Sequence, residues 1–127
     1  MNDDLDRAIA LLGPLEGRVM HAVWAGTLGE AFVVRDVLAH MPELAYTTVM
    51  TTVRRLADKG LLAVRTDSRP AHEYRAVGDP RSFLARASAA EASQFVDRYG
   101  DAALAAFAAR LSELTPDQRQ RIQELLP

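Results

Sequence analysis

Between residues 45 and 60 the chain reads AYTTVMTTVRRLADKG. Threonines at 47, 48 and 51 and arginines at 54 and 55 surround a narrow apolar seam of Val49, Val53, Leu56 and Ala57. Gly60 is a natural residue to end such a helix. At about 100° per residue, Thr47, Thr51 and Arg54 point directly away from the seam. Thr48 and Arg55 fall on one flank and Met50 on the other, with Tyr46 nearer the seam at the N-terminal end. Threonine hydroxyls bond base edges or phosphates, and their methyls pack on a thymine methyl. Arginine grips guanine or phosphate through paired N–H bonds. Small residues let the backbone come close. This is the chemistry of a helix that enters a DNA major groove N-terminus first. Asp58 also faces outward, but at the end where a helix leaves the groove. A solvated helix face uses the same residue types, so the surrounding elements must decide.

Those elements can be read along the chain. Leu5, Ile9 and Leu12 recur at helical spacing behind three aspartates, and Gly13-Pro14 interrupts them. Leu15, Val19, Ala22 and Val23 then share a helix face, which Met20 and Trp24 widen. Gly26 and Gly29 close that helix, and Phe32-Val33 is expected to be a very short strand. Val34, Val37, Leu38 and Met41 form a short helix stopped by Pro42. The quoted helix spans about 45–59. Residues 61–77 follow, in which Leu62, Val64 and Thr66, then His72, Tyr74 and Ala76, alternate with more polar positions. They read as a β-hairpin, a wing, with Arg65, Arg69 and His72 in or beside its tip, where phosphates or a minor groove would be brushed.

Beyond residue 78 the pattern is wholly helical. Asp79 and Pro80 begin a helix that runs to about Tyr99, and Gly100-Asp101 breaks and restarts it. Leu104, Phe107 and Leu111 mark the next amphipathic stretch. Thr115-Pro116-Asp117-Gln118 is a capping box before a last stripe of Ile122, Leu125 and Leu126. The expected fold is mainly α with a small β-wing: a winged helix-turn-helix DNA-binding domain over residues 1–78, then a helical dimerisation domain over 79–127. The tail is too thin to fold alone, so a second copy is expected to cover Phe83, Leu84, Phe95, Tyr99, Leu104, Phe107, Leu111, Ile122, Leu125 and Leu126.

Composition bounds the rest. The chain has 127 residues, 49% of them apolar and 25% charged, the ordinary range for one globular chain. It has no cysteine, hence no disulfide, thiolate metal site or cysteine nucleophile. The acidic N-terminus is unlike a secretory signal and no apolar run reaches membrane-span length, so a cytoplasmic protein is expected. Net charge is −2, unhelpful for nucleic acid, yet residues 41–78 carry six basic groups against four acidic ones. His21, His40 and His72 share no metal-ligand spacing, and no nucleophile elbow or phosphate loop is present. Neither metal nor cofactor is expected, and no enzymatic activity. Trp24 is expected in the core, and the Phe95/Tyr99 pair in dimer packing. The residues read as a dimeric winged-helix protein that binds DNA; the alternative is a winged-helix module for protein contacts without DNA.

LGPLEGRVMHAVWAG, VVRDVL and LAYTTVMTTVRRLADKGLLAVRTDSRPAHEYRAV, with the helical tail, resemble the penicillinase-repressor family of BlaI/MecI/CopY-like regulators. The resemblance runs from about Leu12 to the C-terminus and is strongest over 44–77. It implies a homodimeric winged-helix repressor on operators with TACA/TGTA-type half-sites. It also implies groove contacts from Thr47, Thr48, Met50, Thr51 and Arg55, with Arg54 beside them. Several relatives carry basic residues where this chain has Thr47 and Met50. Copper-responsive relatives end in a cysteine-rich motif that is missing here. Antibiotic-responsive ones are cut at an Asn-Phe bond by a membrane-bound sensor protease; the matching position here is Ala106-Phe107, which keeps only the phenylalanine.

Overall fold

A computed structural model describes residues 3–66 and 72–127. Among them are seven helices and two strands in the order α1 (Asp3–Ala10), α2 (Pro14–Trp24), α3 (Val34–His40), α4 (Tyr46–Asp58), β1 (Leu62–Arg65), β2 (Glu73–Ala76), α5 (Pro80–Tyr99), α6 (Asp101–Ser112) and α7 (Pro116–Leu125). This is a winged helix-turn-helix followed by a helical tail.

Local chemistry accounts for the helix ends. Pro14 occupies the first turn of α2, where its missing N–H costs nothing. The Asp36 carboxylate accepts the Val33 N–H at 2.9 Å, and the Asp36 N–H donates to the Val33 carbonyl at 3.0 Å, so α3 starts abruptly. Asp79 accepts the Ser82 N–H at 2.8 Å and starts α5. Thr115 and Gln118 exchange bonds of 3.0 and 3.2 Å at the start of α7, the expected capping box. Gly60 has φ +81°, with the Gly60 N–H on the Ala57 carbonyl and the Leu61 N–H on the Leu56 carbonyl. That left-handed closure turns the chain out of α4 and straight into β1.

β1 and β2 pair antiparallel in the register Leu62↔Ala76, Ala63↔Arg75, Val64↔Tyr74, Arg65↔Glu73. The expected strand at Phe32-Val33 shrinks to one bridge, in which Phe32 and Tyr74 exchange both backbone bonds. It goes no further because Val34, the next position that would exchange bonds with β2, is the first residue of α3. Leu62 and Tyr74 are buried but Val64 is 43% exposed, so the hairpin leaves the core partway along.

Compactness divides the described chain within α5, after Arg86. The first unit has one core, in which the Phe32, Met20, Leu56, Val19, Val37, Val49 and Val53 side chains are fully buried. It reaches past residue 78 because Phe83 packs on Trp24 at 5.9 Å and Arg86 donates to the Gly60 carbonyl at 3.2 Å. The Trp24 indole N–H also donates to the Gly78 carbonyl, at 2.9 Å. In the second unit Gly100, at φ +59°, turns α5 into α6. Phe95 lies 5.2 Å from Tyr99 and 5.4 Å from Phe107, yet Ala103 is the one described residue of this unit that is buried.

Candidate nucleic-acid interface

The seam of α4 enters the core: Val49, Val53 and Leu56 are buried and Ala57 is half-buried against them. That orientation leaves Tyr46, Thr47, Thr51, Arg54 and Arg55 exposed. Thr48 is half-buried, and its carbonyl accepts the Thr52 hydroxyl at 2.8 Å. Thr47, Thr48, Thr51 and Arg55 line a shallow groove with Leu15 at the start of α2. On the other flank, Met50 packs partly against the core. It joins Tyr46 and His72 in a cleft that α3 and β2 complete. The outward side of α4 therefore has a hydroxyl-rich flank toward α2 and an apolar flank toward the wing.

Two ion pairs link α4 and the loop before it to α2. The Lys59 ammonium, at the C-terminal end, donates to both Glu16 oxygens at 2.8 and 3.0 Å. Glu16 is buried in the first turn of α2, so little water competes with Lys59 for its carboxylate. Arg18, two residues on, meets Glu43 at 2.7 Å in the loop before α4. The Arg18 hydrogen bond, aided by a bond from Glu43's own backbone N–H and by the guanidinium charge, holds the Glu43 carboxyl below its usual range. Arg54 and Arg55, by contrast, make no hydrogen bond or ion pair among the described residues. Their charges are available to a partner, and the outward side of α4 carries no acid before Asp58.

The wing is less uniformly basic than Arg65, Arg69 and His72 suggest. Arg65 ends β1 directly opposite Glu73. His72 is exposed just before β2, and Arg69 lies outside the described residues. In the tail, Tyr99, Leu104, Phe107, Leu111, Leu125 and Leu126 are 40–64% exposed, while Leu84, Phe95 and Ile122 are half-buried. Phe83 serves the first unit instead, against Trp24. Among the described residues no helix is long and apolar enough to cross a membrane, and no three His, Asp or Glu side chains converge as a metal site.

Thr52, Glu16, Arg18, Glu43 and Lys59 were not foreseen from sequence. Thr52 is buried one step around the helix from Thr51. A faint signal for Glu16 existed: it sits at the third position of α2 behind Gly13, which has no side chain to exchange a capping bond with it.

Comparison with known proteins adds a family. The model of the family described as "Penicillinase repressor" matches residues 12–127, leaving α1 ahead of the match. Two proteins named "Transcriptional regulator BlaI", from Mycobacterium tuberculosis strains CDC 1551 / Oshkosh and ATCC 25618 / H37Rv, are each 44% identical over 64 residues. That stretch is 50% of this chain and 46% of each relative, so the chain spans about half the length of the curated relatives it matches.

Proposed function

The chain belongs to the penicillinase repressor family, and from that premise we propose that it is a homodimeric transcriptional repressor that binds a palindromic DNA operator in the cytoplasm. One observation carries the reading. Thr47, Thr51, Arg54 and Arg55 stand exposed on one side of a helix tied to α2 at its C-terminal end and, through the preceding loop, near its start. A surface held rigid while its cations lack internal partners is prepared for an external anion. α4 enters the major groove N-terminus first, so Thr47 and Thr51 meet base edges closely and the arginines grip guanine or phosphate. The wing lies along the backbone.

Residues 1–78 then act as the DNA-binding domain and residues 79–127 as the dimerisation domain. A second copy covering the exposed apolar residues of α5–α7 sets the separation of the two α4 helices, and with it the half-site spacing. Repression follows from occlusion of polymerase. A sensor protease cutting Ala106–Phe107 would sever α6 and with it that apolar surface.

The test is competition at moderate salt between a palindromic duplex with TACA/TGTA half-sites and a scrambled duplex of equal length. Clear preference for the palindrome is expected; equal affinity overturns the proposal. The net charge of −2 favours the protein-contact alternative, for which no preference, or no binding at all, is the expected result.

A further inference from the structure

Among the described residues of the first unit, Arg18 is engaged on Glu43, Lys59 on Glu16 and Arg86 on the Gly60 carbonyl. Arg35 is not. It is exposed in the first turn of α3 and makes no hydrogen bond or ion pair among the described residues. Its own helix gives it no electrostatic support, since a first turn favours anions over cations. Its neighbour Asp36 has turned to the Val33 N–H.

Arg35 stands on the rim of the cleft of about 250 Å³ between α3, α4 and β2. Val33, Val34, Met50 and Tyr74 give that cleft apolar walls, and Tyr46 and His72 share the rim with Arg35. Among the described residues no acidic side chain lines it. The cleft is continuous with the outward side of α4 through Tyr46 and Met50, at the end that leads into the groove. Apolar walls under a guanidinium, a phenol and an imidazole suit one occupant on the duplex, a sugar–phosphate strand. Deoxyribose has apolar faces, and a phosphate is the anion that an unpaired arginine binds with two parallel bonds.

We propose that Arg35 clamps a backbone phosphate of the DNA strand that passes between α4 and the wing. The inference rests on the DNA-binding reading and adds to it a contact from α3. Such a contact sets the register of the protein on the duplex and carries no base preference.

The experiment measures dissociation constants over a salt series for the full chain, on the palindromic and the scrambled duplex. Arg35→Ala is compared with Arg35→Lys and with Arg81→Ala, another exposed arginine of the first unit, away from the cleft. Each lost phosphate contact lowers the slope of log K against log salt by about 0.9 per protomer. Arg35→Ala is expected to show that loss and to weaken both duplexes by the same factor. Arg35→Lys is expected to restore most of the slope, and Arg81→Ala to leave it unchanged. The thermal midpoint of Arg35→Ala should equal that of the parent, because no internal contact is removed. Replacing single phosphates by neutral methylphosphonates should cancel the Arg35→Ala penalty at one backbone position in each half-site. An unchanged slope, or a penalty that no methylphosphonate removes, overturns the proposal. Failure of the underlying reading looks different: the parent protein itself would not prefer the palindrome, while the slope stays readable on the scrambled duplex.

Discussion

Thr51 and Thr52 are neighbours in the chain and opposites in the fold. One step of about 100° puts Thr51 on the exposed side of α4 and Thr52 in the core. Thr51→Val should therefore weaken operator binding several-fold with little effect on folding. Thr52→Val should leave binding intact and change stability by less than about 1 kcal/mol, since the Thr48 carbonyl keeps its helical bond. Competition binding and urea titration on both variants check the pair; equal binding losses would contradict the assigned faces. Arg54→Ala and Arg55→Ala should each cost about 1–3 kcal/mol of binding if they read a base. An arginine that reads a base would relax preference at one operator position, whereas one that grips phosphate would weaken all sequences alike. A panel of half-site variants separates the two. The periodicity of α4 was legible at this scale because it is local. Met50 was legible only in part: its side of the helix was evident, but its packing against the core depends on the β2 and α3 residues that share its cleft.

At the scale of elements, the buried seam of α4 seats it in the core and ion pairs link it and the loop before it to α2. The Glu16–Lys59 pair is asymmetric, because Glu16 is buried and the Lys59 side chain is 54% exposed. Lys59→Met strands a carboxylate away from water and should cost about 1–3 kcal/mol. Glu16→Gln leaves an ammonium that returns to solvent and should cost less. Urea denaturation ranks them, and the reverse order would contradict this account. Specificity should suffer in both variants, since a tilted α4 loses base contacts before it loses phosphate attraction. The Arg18–Glu43 pair predicts a pH dependence. Glu43 has a lowered pKa in the folded chain. Its stabilising contribution is therefore present above the unfolded carboxylate range and lost as pH falls through the folded value. In low salt, the gap in thermal midpoint between the parent and Glu43→Gln should exist at neutral pH and close on acidification. A gap that stays constant with pH would exclude the linkage. The helix and strand boundaries behind these contacts were largely readable, because capping residues, prolines and Gly60 act within a few positions of themselves.

For the whole molecule, residues 87–127 bury almost nothing on their own, while six large apolar side chains between Tyr99 and Leu126 stand 40–64% exposed. Surface of that kind calls for a partner. Leu104→Asp and Leu111→Asp should leave the first unit folded and shift the protein to a monomer in sedimentation, with operator binding weakened as half-sites are engaged singly. A variant that stays dimeric would move the interface elsewhere. Truncation after Arg86, which keeps Phe83 on Trp24, should likewise give a folded monomer. The amino-acid sequence alone determined which segments are helices, most of their ends, that a hairpin follows α4, and which side of α4 faces the core. Those outcomes arise from periodicity and capping that act over three or four residues. Tertiary structure alone decided that Phe83 belongs to the first unit, that Phe32 bridges Tyr74, and that Lys59 answers to Glu16, 43 positions away. It also decided which arginines keep their charge free for an outside anion. A charge is neutralised by whatever the fold brings within about 3 Å, and chain order carries no record of distances across a core.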